Sequence, residues 1–381
     1  MADDRRARVP PRIATSLVLA LAPLSAAASG EVVRSDVHDF RLQTVADGFA
    51  HPWALAFLPD GGILVTERPG RLQRVAPASG ESQRINGVPP VDARNQGGLL
   101  DVAVHPDFED HPWVYLTWSG RGEEGNATHF GRGRLDNGAL ADFQTLFVAT
   151  PYVDSTKHFG SRITFDGDGH VLVTVGERGE RDRAQDLGDH NGSIIRLHLD
   201  GRIPDDNPFV DRPNARDAIY SYGHRNPQGA DHHPRTGRYW IHEHGPRGGD
   251  EINLPEAGGN FGWPKQTYGR EYYGLEIAPD TRPDVINPIH HWTPSIAPSG
   301  MSFYDGDAFP HWQGDLFVGA LAQTHLARLS LNGQKVTGQE RLLDDRGWRI
   351  RDVVQGPGDD HLYVLVDAPN APLLRLRPVT D

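Results

Sequence analysis

The 381-residue chain contains no cysteine. Disulfides are therefore excluded, as is any thiol nucleophile, thiolate metal ligand or thiol-linked lipid. Lysine is almost as scarce. Lys157, Lys265 and Lys335 are the only three, so arginine carries nearly all the positive charge. Acids still outnumber bases, 51 against 38, and the formal net charge of −13 argues against nucleic acid as a partner. Long apolar runs are also missing. The apolar stretch 13–24 is too short to span a bilayer, and nothing later is longer, so no transmembrane segment is expected. That stretch follows Asp3-Asp4-Arg5-Arg6-Ala7-Arg8 and ends in Ser25-Ala26-Ala27-Ala28-Ser29. A charged head, a short apolar middle and a small-residue end make a signal peptide of residues 1–29, and the protein is expected to be periplasmic or secreted. Arg5-Arg6 alone does not decide between the general and the twin-arginine export routes.

Turn formers are abundant, with 43 glycines and 30 prolines. No long segment has helical periodicity. A strand, a tight turn and a second strand recur instead, with turns beginning at 59, 106, 166, 234, 305 and 357. A four-stranded blade with its loops takes about 40–50 residues, and the longer intervals accommodate inserted loops. The predicted fold is all-β: residues 30–381 form a single six-bladed β-propeller of mostly four-stranded antiparallel blades. A β-sandwich or two smaller β domains would require a linker or a composition shift, and neither is present.

The repeat also predicts where the chemistry sits. In a hairpin, the residue before the first strand and the residue after the second lie at the same end. Gln96, His158, Glu177, Arg225, Asn226, His244-Gly245-Pro246, Arg349 and Arg351 all occupy such stations. They would meet at one end of the propeller axis, whereas the opposite hairpin ends carry ordinary Asp-Gly and Pro-Asp turns. Three arginines in one pocket imply an anionic ligand, because a guanidinium binds carboxylate or phosphate in bidentate fashion. There is no Gly-rich strand–loop–helix for a nucleotide and no serine elbow. His158 is the candidate base, with Glu177 placed to hold its second ring proton. Asp250-Glu251, close to main-chain carbonyls, suggests a hard cation such as calcium. Zinc on His242 and His244 is less favoured, since the third ligand spacing is absent.

The stretch 219–264 concentrates these groups. Gly223-His224-Arg225-Asn226-Pro227-Gln228-Gly229, 244–253 (HGPRGGDEIN) and Gly259-Asn260-Phe261-Gly262-Trp263-Pro264 resemble the soluble PQQ-dependent glucose and aldose sugar dehydrogenases. Asn95-Gln96-Gly97-Gly98, His158-Phe159-Gly160-Ser161-Arg162 and 346–352 (RGWRIRD) match in the same order. The resemblance runs from about residue 40 to the end and implies a six-bladed propeller, in agreement with the repeats. It further implies PQQ, a tricarboxylate, held by Gln96, Arg225, Asn226, Tyr272, Arg349 and Arg351, with the 292–301 loop closing one side. One calcium would sit on the carbonyls of Gly245 and Pro246 and touch PQQ. A second, structural calcium would be held by Glu251 and the carbonyl of Phe261. The implied reaction is oxidation of an aldose at C1 to a lactone. His158 takes the proton of the anomeric hydroxyl, the hydride goes to PQQ, and Arg225 and calcium steady the developing charge. Electrons would pass to a quinone, a dye or a small redox protein. Monomer and homodimer both stay open.

Two departures accompany the resemblance. Some members carry a cofactor-binding lysine after the strand that here reads Phe317-Val318-Gly319-Ala320-Leu321, where this chain has Ala322-Gln323. Glu177 stands where some have aspartate. A calcium-dependent propeller lactonase would need acids and amides around an axial metal, and this chain puts arginines there. A non-enzymatic binding propeller is the other alternative, against which the retained His158 and arginine set argue.

Overall fold

The computed structural model describes Met1 and residues 31–379; the expected signal peptide lies outside the described residues. The chain forms six antiparallel sheets, each a blade that begins with its strand nearest the axis. Blade 1 comprises Pro52–Phe57, Ile63–Glu67, Arg71–Ala76 and Glu81–Ile85. Blade 2 comprises Leu99–Val104, Trp113–Gly122, Gly125–Asp136 and Ala139–Val148. Blade 3 comprises Ile163–Phe165, His170–Val175, Ser193–His198 and Ile219–Tyr222. Blade 4 comprises Pro227–His232, Tyr239–Glu243, Asp250–Asn253 and His290–Trp292. Blade 5 comprises Pro298–Phe303, Leu316–Ala320, His325–Asn332 and Lys335–Leu342. The two inner strands of every blade fall where the repeat predicts them.

Burial explains the strand patterns. The second strands Ile63–Glu67, Tyr239–Glu243, Leu316–Ala320 and Leu362–Val366 are buried at every position, because both of their faces lie against neighbouring blades. The outermost strand Lys335–Leu342 instead alternates exposed and half-buried residues.

Blade 6 departs from the simple repeat. Residues after 349 supply only three strands, Ile350–Gln355, Leu362–Val366 and Ala371–Pro378. The fourth is Phe40–Phe49 from the other end of the chain, paired from Phe40 with Pro378 to Phe49 with Ala371, and Val32–Val33 adds a fifth. Phe40, Tyr304, Phe309, Trp312 and Phe317 pack together behind this joint, with the Phe309 and Trp312 rings stacked at 4.2 Å. Each such aromatic pair is worth about 0.5–1.5 kcal/mol beyond its area.

Neighbouring blades are cross-linked by polar contacts. Thr66, Thr117 and Thr174, all on second strands, donate to the carbonyls of Leu100 (2.6 Å), Ser161 (2.7 Å) and Pro227 (2.8 Å) of the next blade. Asp101, Asp231 and Asp352, on inner strands, accept the backbone N–H of Ile163 (2.7 Å), Phe303 (2.9 Å) and Leu55 (3.0 Å). Arg162 lies on the axis between Asp101 (3.0 Å) and Asp352 (3.3 Å), above the Trp53 ring. These contacts hold the inner strands in register and thereby fix the hairpin ends that project from them.

Candidate active site

His158 and Glu177 come from one hairpin end in blade 3. The His158 backbone is left-handed (φ 57°), and its N–H donates to the Gln96 side-chain oxygen at 2.7 Å. Its Nδ1 lies 2.7 Å from Glu177 Oε2, which also accepts the Gly179 N–H. With Nδ1–H donating to that carboxylate, Nε2 is the free basic atom. Burial lowers the imidazole below its usual range; the Glu177 hydrogen bond pulls it back up, and the Arg225 charge lowers it. Burial would raise the Glu177 carboxyl, but His158 and Arg225 outweigh it and hold it low. The pair is thus a neutral imidazole on an ionised carboxylate. Arg178, fully buried, braces the loop before the histidine. It donates to the carbonyls of Lys157 and Ser155 and to the Asn126 side chain, and its guanidinium lies 3.5 Å over the Phe159 ring.

Arg225 and Asn226 open blade 4. Arg225 Nη1 donates to the carbonyls of His244 (3.0 Å) and Gly245 (2.8 Å), and its Cζ lies 5.3 Å from the Trp263 ring centre. Glu243 fixes the segment by accepting the Arg225 N–H (2.5 Å) and facing His224 Nδ1 (3.0 Å). Asn226 accepts the Gly160 N–H at 3.1 Å and keeps a buried Nδ2 without a partner.

The 244–253 segment differs in part from the sequence expectation. Asp250 is spent on the loops: its oxygens accept the N–H groups of Gly245, Ile296 and Ala297 at 2.7–2.8 Å and the Ser295 hydroxyl at 3.1 Å. The Pro246 carbonyl faces Ser295 Oγ at 3.5 Å, so the two carbonyls that converge are those of His244 and Gly245. His244 Nε2 is engaged by the Pro298 carbonyl at 2.5 Å. Glu251 is buried and accepts one Asn253 bond at 3.3 Å. Burial first, then the Glu243 and Asp250 charges, raise its carboxyl well above the usual range. A cavity of about 10 Å³ is lined by Arg225, Glu243, Gly245 and Glu251, among others. That is room for about one water or ion. Phe261 is not in its walls; its ring stacks on His224 at 4.8 Å. Among the described residues no three His, Cys, Asp or Glu side chains group for a metal, so a cation here would lean on main-chain oxygens.

Arg349 and Arg351 converge at blade 6 on a carboxylate that the sequence reading missed. Arg349 Nε lies 3.2 Å and Arg351 Nη2 3.7 Å from Asp367 Oδ2, while His51 Nδ1 is 2.8 Å from Oδ1. Arg349 also donates to the Leu321 carbonyl at 2.9 Å, and Arg351 to the Gln228 side chain at 3.2 Å. Gln323, in the stretch where some members of the resembled family carry lysine, accepts a bond from Arg341 at 2.8 Å. Tyr272 is 70% exposed on a loop beside Arg247, so its ring stands in solvent.

The hairpin-end rule finds most of this set. Glu243 and Asp367 lie at or just after the ends of second strands, and extending the rule to those blades identifies them too. Arg178 is different: it acts from beneath the loop, and nothing in the spacing marks it. The larger grooves, about 710, 530 and 510 Å³, lie around Asp60–Gly62, Asp166 and Glu256, and Gly356–Asp359, and hold none of these groups.

Comparison with known proteins shows the family and agrees with the fold. The family model described as Glucose / Sorbosone dehydrogenase matches residues 49–375. Aldose sugar dehydrogenase YliI of Escherichia coli K12 is 46% identical over 345 residues, covering 88% of this chain and 92% of its own. The apo-form crystal structure of the soluble aldose sugar dehydrogenase from Escherichia coli superposes with a TM-score of 0.87 at 44% identity, covering 89% of this chain and all of that one. The PQQ-bound aldose sugar dehydrogenase of Streptomyces coelicolor superposes with a TM-score of 0.74 at 28% identity, covering 89% and 98%.

Proposed function

The chain belongs to the glucose/sorbosone dehydrogenase family, and on that premise we propose that it is a PQQ- and calcium-dependent dehydrogenase. It oxidises aldose sugars at C1 to lactones and passes the electrons to a quinone or a small redox protein outside the cytoplasm. The observation that carries this reading is the buried His158–Glu177 pair within reach of the Arg225 charge, on the hairpin ends of a propeller whose last blade presents Arg349 and Arg351. The donor set suits the two groups. Arg225, Arg349 and Arg351 match a polycarboxylate, and the unpartnered Asn226 Nδ2 is a donor awaiting an acceptor. The His244 and Gly245 carbonyls already converge on a cation, the Arg225 guanidinium, and Glu251 is a buried acid without one. A hard oxygen-seeking ion fits both places.

PQQ would be held by Gln96, Arg225, Asn226, Arg349 and Arg351, with Tyr272 at the rim. Calcium would be held by the Gly245 carbonyl together with that of His244, and a second ion by Glu251 with the main-chain oxygens around its cavity. Bound PQQ supplies the two-electron acceptor and calcium supplies a Lewis acid.

The chain's own part is proton handling and positioning. His158 Nε2 accepts the proton of the sugar's anomeric hydroxyl as C1 loses its hydride. Glu177 steadies the imidazolium formed, and Gln96 fixes the backbone that carries the ring. Arg225 brings positive charge to the reacting end. Arginines in this position do not serve a lactonase.

The test is aldose-dependent dye reduction by the purified protein with PQQ and calcium, with and without EDTA. No cofactor-dependent activity on any aldose would overturn the reading. His158→Ala should bind PQQ and lose turnover.

A further inference from the structure

Arg68 has no part in the set above, yet its surroundings point into it. It follows Ile63–Glu67, the second strand of blade 1. Arg68 therefore occupies the station that Glu177 approaches in blade 3, His244 in blade 4 and Asp367 in blade 6. The Arg68 N–H donates to the His51 carbonyl at 3.0 Å, and His51 Nδ1 contacts Asp367 at 2.8 Å. Two nitrogens of its guanidinium are tethered to the loop that carries Gln96, Nε to the Gly97 carbonyl at 3.2 Å and Nη2 to the Asn95 carbonyl. Nη1 makes no hydrogen bond among the described residues.

Burial is the larger influence on both Arg68 and Arg351; beyond it, Asp367 attracts and Arg349 repels each of them, and Arg68 also repels Arg351. Arg349 and Arg351 thus share the Asp367 carboxylate, and Arg68 stands beside them with its guanidinium on the Gly97 and Asn95 carbonyls, in a chain whose net charge is −13. Like charges in a partly desolvated site repel, and a polycarboxylate entering between them relieves that repulsion.

We propose that Arg68 is a third guanidinium of the anion clamp formed by Arg349 and Arg351, reaching a cofactor carboxylate from blade 1, with Asp367 as the internal counter-ion of all three. This rests on the reading that the pocket takes PQQ. It assigns a cation to the rim of a site where Ala322-Gln323 stand in the stretch in which some members carry a lysine.

The competing role is purely structural. Arg68 would brace the 95–97 loop and thereby aim the Gln96 oxygen at the His158 N–H. The two roles separate experimentally. A brace acts on turnover at saturating cofactor. A clamp acts on cofactor affinity and on how that affinity depends on salt.

The experiment is fluorescence titration of the full-length apo protein with PQQ in the presence of calcium, at low and high salt. The proteins compared are the wild type, Arg68→Gln and Arg68→Lys. Glutamine can still donate to the Asn95 or Gly97 carbonyl, so the loop keeps a partner, and melting temperatures report whether each variant is folded. Benzene-1,3,5-tricarboxylate serves as a second probe that cannot accept electrons. Removing a charge-assisted hydrogen bond weakens binding by about 10- to 100-fold. We expect that loss of PQQ affinity in Arg68→Gln, a shallower salt dependence, a parallel loss for the tricarboxylate, and partial recovery in Arg68→Lys. Unchanged affinity and unchanged salt dependence in Arg68→Gln, with the wild type binding PQQ, would overturn the proposal and leave the functional reading standing. A wild type that binds neither probe would overturn both.

Discussion

Glu177→Gln is the sharpest probe of the proposed proton transfer. Both partners of the His158–Glu177 contact are nearly out of solvent, with side-chain exposures of 10% and 2%, so water screens little of the interaction. Glu177 Oε2 receives two donors, His158 Nδ1–H and Gly179 N–H. A glutamine with its oxygen in that position still accepts both, so the substitution removes the charge and keeps the geometry. A hydrogen bond to a charged group is worth roughly 1.5–3 kcal/mol. Each 1.36 kcal/mol is about tenfold in rate. The imidazolium forms as the proton moves, so the loss falls on kcat, at about 10- to 150-fold. The pH profile moves as well. The Glu177 hydrogen bond and charge raise the His158 pKa against the burial that lowers it. Without the charge the pKa falls further, and the acid limb of kcat/KM shifts to lower pH. Glu177→Ala also removes the acceptor that selects the tautomer, and it should cost more. Steady-state kinetics on the PQQ- and calcium-loaded enzyme across pH is the assay. A Glu177→Gln variant with unchanged kcat and an unmoved acid limb would refute His158 as the base.

Three further substitutions test the surrounding structure. Glu251→Gln neutralises a buried acid that has no ion-pair partner among the described residues. The variant should melt higher than the parent in EDTA, and it should lose the stabilisation by calcium, about 2.7 kcal/mol at a hundredfold excess over Kd, expected of the parent. Thermal denaturation with and without calcium decides. Asn226→Ala leaves the Gly160 N–H without its acceptor. It should cost about 1–3 kcal/mol by urea denaturation and weaken PQQ binding in titration. Gly300→Ala places a methyl group onto the Asp352 carboxylate and backbone. Overpacking of about 1–3 kcal/mol should lower the urea midpoint, and an unchanged midpoint would show that Asp352 does not tie blade 6 to blade 1.

How much the sequence revealed follows from the range of each interaction. The hairpins were readable because Asp166-Gly167-Asp168-Gly169 and its counterparts are local turn signals flanked by apolar strands. The common end expected for His158, Glu177, Arg225 and Arg349 follows from hairpin geometry, which is why residues from three repeats could be placed together. Non-local pairing was not readable. Nothing in Phe40–Phe49 announces a partner at Ala371–Pro378. Arg178 also escaped notice, because its role depends on three oxygens and a ring gathered by the folded chain. Asp250 read as a metal ligand, although its oxygens are occupied by N–H groups that only the folded loops bring near.

The seam between Phe40–Phe49 and Ala371–Pro378 has a consequence for when the protein becomes competent. It joins segments from opposite ends of the chain, among the slowest contacts for a polypeptide to make because the whole intervening length must first be organised. Arg349, Arg351 and Asp367 all belong to the blade that this seam completes, and Asp352 from the same blade grips Leu55 in the first. On the proposed function, cofactor affinity would be withheld from any partly assembled chain. A polypeptide lacking either end of this seam would carry five nearly complete blades and no complete clamp. Loading with cofactor would report that the ring had shut.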